Sequence, residues 1–253
     1  VDTVNPDPEF VIRKRKLDFD ACYNARDLGG IETMDGQQVR WGAFVRADSL
    51  FRLTPEGRAS LLAHGIRTII DLRMHTELEQ EPNPLSGTQE IRYNHVSLVN
   101  PQHTTALEQA LITKGMLAWN LNLLDLGGDD IAQALRTIAA APEGGVLFHC
   151  FAGKDRTGLI AMFLLSLAGV SPERIAEDYH ESNMHLAQFN ETFVARFSDP
   201  EIQERVRNNL NSGYDNMMLI QTYLQENYGG PEAYLLKHGL TKAELAAIRQ
   251  RLI

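Results

Sequence analysis

The sequence predicts an α/β fold: a central, mostly parallel sheet flanked by helices, with a helix-rich C-terminal part that packs as helices or caps one sheet edge. Three observations predict it. The runs 67–72 and 146–148 are apolar and rich in β-branched or aromatic residues, as buried strands should be. Helical patterns at about 106–125 and 129–140 separate them, as crossovers between parallel strands require. From residue 171 onward the pattern is almost wholly helical.

The elements follow in order. Residues 1–20 are polar and irregular, with Pro6, Pro8 and the basic run Arg13, Lys14, Arg15, Lys16. They read as a solvated lead-in before a single domain over 21–253, and about four cations give only modest attraction to acidic lipid. Asp35-Gly36 is a hairpin signal between two strand-like stretches in 31–46. Thr54-Pro55-Glu56 reads as an N-cap, a first-turn proline and an early acid, with Gly65 closing the helix. The stretch 91–98 is a further strand, and Gly144-Gly145 turns the chain into 146–148. Residues 158–168 are apolar on every side, which places that helix inside the core. Ser171-Pro172-Glu173 opens another helix, and Thr241 with Glu244 forms a capping box.

Bulk properties narrow the function. The 253 residues suffice for a substantial core, and 43% hydrophobic with 23% charged residues is ordinary for a globular chain. No apolar run approaches the roughly 20 residues that span a bilayer, so no stable membrane insertion is expected. The net charge of −9 disfavours nucleic acid and anionic membranes as partners. Any phosphate site is therefore expected to be positive only locally. Cys22 and Cys150 are the only cysteines, too few for a disulfide framework or a four-sulfur zinc site. The sequence begins at Val1 rather than Met, so something upstream is expected to be missing. Cytoplasmic and secreted locations both stay open.

The chemistry concentrates in His149-Cys150-Phe151-Ala152-Gly153-Lys154-Asp155-Arg156-Thr157-Gly158, between a buried strand and a buried helix. A loop entering a helix N-terminus beyond a strand end turns backbone N–H groups into one concavity, which makes an anion site. Cys150 has to be a thiolate to attack phosphorus, and a helix N-terminus with nearby cations favours that form. Arg156 follows six positions later. The backbone can then close around one phosphate while the planar guanidinium meets two of its oxygens. Thr157 places a hydroxyl near the sulfur, and Gly153 and Gly158 permit close approach. Lys154 reads as a second cation at the mouth, favouring highly charged esters such as phosphoinositides. The plain alternative is an inert cysteine in a βα turn, and the strand–loop–helix context argues against it.

This loop resembles that of the Cys-x5-Arg protein tyrosine phosphatase superfamily. It is most similar to the bacterial tyrosine/lipid phosphatases of the mycobacterial protein tyrosine phosphatase B type, whose loop has the form HCxAGKDRTG. Three more segments agree: Asn24-Ala25-Arg26-Asp27-Leu28-Gly29-Gly30, Gly42 with Arg46, and Asp71-Leu72-Arg73 with Glu77. The resemblance covers about residues 20–190. It implies a tyrosine-phosphatase-like fold, a phosphocysteine intermediate, no cofactor, an in-loop acid, and phosphoprotein or phosphoinositide substrates. In some relatives the C-terminal helices form a lid.

Two aspartates compete to protonate the leaving oxygen, a step that typically contributes about 10²–10⁴-fold. Asp155 lies within the loop; Asp71 ends a strand and would reach the same crevice. The preference is for Asp155. The alternative is that Asp155 pairs with Arg156 or Lys154, and Asp71 with Arg73. Phe151, Ala152, Gly153, Lys154 and Thr157 are the expected substrate contacts. His149 either supports the loop backbone or is a structural histidine. Arg26 and Asp27 are expected to brace the Gly29-Gly30 turn. His180 and His185 stand five apart, so with Glu177 and Glu181 they read as a solvated face rather than a metal site. Cys22 reads as an inert thiol, the alternative being a reversible disulfide with Cys150. A non-catalytic phosphate-binding module and a sulfurtransferase are the competing functional readings. The first needs no nucleophile, and the second fits the Lys154-Asp155-Arg156-Thr157 ending less well.

Overall fold

In the computed structural model, which describes residues 14–211 and 213–253, alternating strands and helices give way to helices alone. The first part runs β1 (Arg26–Asp27), β2 (Phe44–Ala47), α1 (Pro55–Ala63), β3 (Ile66–Asp71), α2 (His75–Gln80), β4 (Arg92–His95), α3 (Thr104–Leu126), α4 (Gly128–Ala139) and β5 (Gly145–His149). It is followed by α5 (Asp155–Leu167), α6 (Pro172–Val194), α7 (Pro200–Leu210), α8 (Tyr214–Tyr228), α9 (Pro231–Lys237) and α10 (Lys242–Leu252). The cap signals read from the sequence are in place. Thr54, Ser171 and Thr241 each accept a first-turn amide, and Thr241 with Glu244 completes a capping box.

The strands lie in the order β1-β2-β5-β3-β4, all parallel except β1. Ala47 and Asp71 both stand opposite His149. Three strands therefore finish at one level, and Asp48, Leu72 and Cys150 leave the sheet along the same edge, where α/β sheets bind ligands. Side chains alternate across the pleat. Val146 and Phe148 join Phe44 and Ile70 in a core built with α4, α5, α9 and α10. Leu147 joins Val45, Ile66 and Ile69 in a second core against Leu61 of α1 and Phe19. The α5 side chains from Thr157 to Leu165 are all buried, as the uniformly apolar stretch 158–168 implies. Each such Leu or Phe contributes about 1.5–3 kcal/mol by leaving water, which fixes the helix whose N-terminus carries the loop.

Three expectations change. The turn at Asp35-Gly36 forms, with Thr33 N–H donating to Gln37 O at 3.0 Å, but its arms form no strands: they pair in one isolated bridge, Glu32–Gln38, and in further bonds, among them Gly30 N–H to Val39 O at 2.8 Å. Arg40 N–H bonds Leu252 O in α10 rather than a strand, which ends the ladder. The helix over 104–126 is broken at Gly115, where φ is +82° and ψ −173°. That left-handed φ suits a residue without Cβ, and it redirects the second half of the helix. The basic run is not a solvated tail where it is described. Arg15 donates to Asp178 and, at 2.9 Å, to Glu181, while Lys16 bridges to Arg26. Pro6, Pro8 and Arg13 lie outside the described residues. Among the described residues no helix is long and apolar enough to cross a membrane.

Candidate active site

The loop after β5 passes from Cys150 to Lys154 and enters α5 at Asp155, so Arg156 sits in the first helical turn. Cys150, Phe151, Ala152, Asp155 and Arg156 line one pocket of about 230 Å³. Glu77 of α2 and Leu111, Met116 and Trp119 of α3 complete its wall. The cysteine, the guanidinium and the in-loop aspartate thus share one cavity. Cys150 is 3% exposed, at the bottom of that cavity rather than on the surface.

Scaffold donors take the loop carbonyls one by one. Ser49 N–H bonds Phe151 O at 2.8 Å. Asn24 Nδ2 bonds Ala152 O at 3.0 Å and Gly153 O at 3.1 Å. Arg46 Nη2 bonds Gly153 O at 2.9 Å and Lys154 O at 3.2 Å. In a trans peptide the carbonyl of one residue and the amide of the next point in opposite directions. With the carbonyls of residues 151–154 held by the scaffold, the amides of Ala152, Gly153, Lys154 and Asp155 turn to the concave side, the donor arrangement that binds anions. Gly153 makes this fit possible: its φ is +66°, and a Cβ there would lie 2.4 Å from Ala47 O.

One buried carboxylate anchors both tethers. Asp178 of α6 accepts from Arg46 Nη1 at 2.5 Å and Arg26 Nε at 3.2 Å. Arg26 Nη1 in turn donates to Asn24 Oδ1 at 2.5 Å. Burial works against ionisation of Asp178, but Arg26, Arg46 and Arg15 outweigh it and hold its carboxyl far below the usual range. Burial and the neighbouring Arg46 bring Arg26 down to about 10. Arg26 therefore supports the catalytic loop rather than the Gly29-Gly30 turn. Asp27 does brace that turn, accepting from Gly29 N–H and Gly42 N–H, each at 2.8 Å.

Arg156 is aimed by Glu77. Its two terminal nitrogens reach the two carboxylate oxygens at 2.5 and 2.7 Å, a bidentate pair with one fixed plane. Burial opposes the charge, but the hydrogen bonds to Glu77 and the nearby Cys150 sulfur keep Arg156 above its ordinary value. Glu77 also accepts Met74 N–H at 2.7 Å, so the helix start positions the carboxylate that positions the arginine.

The two candidate acids separate. Asp155 lines the pocket and accepts Tyr179 O–H at 2.5 Å, with Lys154 Nζ 3.5 Å from its other oxygen. Asp71 does not reach the crevice. It is fully buried and bound by Arg73 Nε at 2.9 Å, Arg73 Nη2 at 2.7 Å and Tyr93 O–H at 2.9 Å, with His149 Nε2 3.3 Å away. Burial disfavours its charge, but His149 and Arg73 prevail and hold it far below the usual range. An anion so saturated has no proton to give and no path to a leaving group.

Three more expectations are corrected or refined. Lys154 is not a free cation at the mouth: its Nζ donates to Asn209 O at 3.1 Å and Leu210 O at 3.0 Å, closing the C-terminal end of α7. Thr157 Oγ1 is buried and, among the described residues, makes no hydrogen bond to Cys150 or any other group. His149 supports loop backbone: its Nδ1 lies 3.1 Å from Cys150 O, and since a carbonyl only accepts, that nitrogen carries the hydrogen. Cys22 donates its thiol to Asp48 at 2.9 Å, and both cysteines are free. Glu181 is committed to Arg15 and, at 2.9 Å, to His185.

Sequence reasoning did not find Asp178, Tyr179 or the α3 wall of Leu111, Met116 and Trp119. Gly115 inside a helical pattern is the one local signal that the wall helix bends.

Residues 17–253 match a family model described as the tyrosine phosphatase family. The tyrosine-protein phosphatase of Nostoc commune is 32% identical over 225 residues, covering 83% of this chain and 74% of that protein. The triple specificity protein phosphatase PtpB of Mycobacterium tuberculosis is 25% identical over 267 residues, covering 90% and 95%. The crystal structure of Pseudomonas aeruginosa TpbA with phosphotyrosine aligns over 72% of this chain and 86% of that one. Its identity of 16% and TM-score of 0.36 are too low to add to the fold described above.

Proposed function

The chain belongs to the tyrosine phosphatase family, and on that premise we propose that Cys150 is its nucleophile, Arg156 its phosphate clamp and Asp155 its general acid. The observation that carries the reading is that these three residues line one pocket, in a loop whose carbonyls are taken up by scaffold donors on its outer side. The Cys150 thiolate attacks phosphorus and the ester oxygen leaves. Asp155 supplies that oxygen with a proton. The amides and the Arg156 fork meet the equatorial oxygens, on which charge is spread during transfer. A water then attacks the phosphocysteine, Asp155 takes a proton from it, and phosphate departs with the thiolate restored.

Phosphotyrosine is the primary substrate in this reading. The wall of Phe151, Leu111, Met116 and Trp119 offers an aryl ring apolar contact beside the phosphate site. The name of the mycobacterial relative supports a wider range, so phosphoserine/threonine peptides and phosphoinositides are further proposed substrates. The family match over 17–253 supports taking 21–253 as one catalytic domain.

The test is a substrate panel without added metal. Phosphotyrosine peptide turns over, vanadate inhibits, thiosulfate is inert, and Cys150→Ser has no turnover on any phosphate ester. Hydrolysis that survives Cys150→Ser rejects the reading.

A further inference from the structure

The proposed acid does not stand alone in its pocket. Asp155 Oδ1 accepts the hydroxyl of Tyr179 at 2.5 Å. Tyr179 belongs to α6, 1% exposed, and its ring lies against the start of α5: a Cβ on Gly158 would come within 2.7 Å of Tyr179 Cδ2. Gly158 thus leaves room for an aromatic ring, and that ring delivers a hydroxyl to the carboxylate three residues earlier. Burial and the adjacent Asp155 push the Tyr179 phenol well above its usual range, so it stays protonated and is the donor of this hydrogen bond. Arg46 and Asn120 are its other polar neighbours.

We infer that Tyr179 is the positioning residue of the general acid. A carboxylic acid has two oxygens, and only one can face the leaving group. With Oδ1 receiving the phenolic hydrogen, the transferable proton is left to Oδ2, whose other neighbour is the Lys154 ammonium at 3.5 Å. As the ester bond breaks, Oδ2–H passes its proton to the departing oxygen, and the carboxylate that forms keeps the Tyr179 hydrogen bond. In the second step water loses a proton to Oδ2, restoring the acid. Tyr179 exchanges no proton itself. It selects the oxygen, fixes the plane of the carboxyl and stabilises the charge that develops on it.

This rests on Asp155 being the acid, and the experiment separates the two claims. Asp155→Asn, Tyr179→Phe and the double variant are compared on phenyl phosphate, a poor leaving group, and p-nitrophenyl phosphate, an activated one, with vanadate inhibition measured alongside. Tyr179→Phe keeps the ring against Gly158 and removes only the hydroxyl. Its kcat on phenyl phosphate is expected to fall about tenfold and on p-nitrophenyl phosphate less than about twofold, with vanadate inhibition unchanged. In the Asp155→Asn background the second substitution adds nothing. If Asp155→Asn loses both substrates equally, Asp155 is not the acid and both claims fall. If Asp155→Asn discriminates between leaving groups and Tyr179→Phe does not, the positioning role alone is refuted. Equal losses on both substrates, or weakened vanadate inhibition, in Tyr179→Phe also refute it, because they mark a merely structural hydroxyl. If the Phe variant does not accumulate, Tyr179→Met carries the same comparison.

Discussion

At the end of β3 and at the start of α5, two aspartates stand at the same sheet edge in opposite conditions. Asp71 is closed off from solvent and takes Arg73, Tyr93 and His149 around its two oxygens. Asp155 lines the pocket and takes one phenol on one oxygen. The first is an anion whose surroundings would be destroyed by a proton. The second is a carboxyl on the pocket wall, with one oxygen held by Tyr179 and the other 3.5 Å from the Lys154 ammonium. On the proposed reading, two residues of one type at one sheet edge are thereby divided between architecture and chemistry. The division is made by how many donors each oxygen already has and by access to the leaving group.

That contrast can be broken most directly at Asp155. Asp155→Asn is expected to lower kcat on phenyl phosphate by about 10²–10³-fold and on p-nitrophenyl phosphate by less than about tenfold. Its unfolding midpoint should move little, because the one cation beside Asp155, the Lys154 ammonium at 3.5 Å, keeps its bonds to Asn209 O and Leu210 O. Steady-state kinetics beside a thermal melt reads both, and a large stability loss with uniform rate loss would erase the distinction. Asp71→Asn should show the reverse. It leaves the Arg73 guanidinium buried without its carboxylate, at a cost of about 3 kcal/mol in denaturant unfolding, while the folded fraction keeps its leaving-group dependence.

Acid sharpens the comparison further. The folded-state values of Asp71 and Asp178 both lie below the ordinary carboxylate value of 3.8. Their stabilisation is therefore complete above about pH 4 and is lost progressively as the pH falls below it. The unfolding midpoint of the native chain should drop in this range, and that of Asp71→Asn should drop less. Equal slopes would mean that Asp71 is not held as an anion.

Two smaller effects test the loop's supports. Asn24→Ala frees the carbonyl of Ala152 and leaves that of Gly153 to Arg46 alone, and should weaken vanadate inhibition about tenfold, roughly one lost hydrogen-bonded support of the loop. Lys154→Met should change the ratio of phosphoinositide to aryl phosphate turnover by less than about threefold, since its ammonium is hydrogen-bonded to α7 and reaches the pocket wall only at Asp155, 3.5 Å away. Protease cleavage within 200–211 should rise instead. A collapse of phosphoinositide turnover alone would return Lys154 to the mouth.

The catalytic loop was legible because its chemistry is contiguous: Cys150, Asp155 and Arg156 are spaced by the loop itself, and the flanking strand and helix announce themselves by composition. The mostly parallel sheet was legible from apolar runs and the helices between them, but the strand order β1-β2-β5-β3-β4 was not, because it depends on which distant strands pair. What was not legible arises from distant segments meeting. Asp178 is one acid among several on a polar helix, and nothing near it in sequence announces that Arg15, Arg26 and Arg46 converge on it. Lys154 looked free because α7, whose carbonyls it caps, lies more than fifty residues on. Asp71 ended a strand at the right edge, but its partners Tyr93 and Asn83 come from other turns of the chain.

The central claim is that the Cys150 sulfur carries the phosphoryl group between substrate and water. Rapid acid quenching of the native enzyme during turnover of an aryl phosphate, followed by peptide mass analysis, tests it directly. The account predicts a phosphoryl adduct on the peptide bearing Cys150, more of it in Asp155→Asn with an activated substrate, and none in Cys150→Ser. Steady hydrolysis with no adduct on that cysteine, or an adduct on another residue, would contradict it.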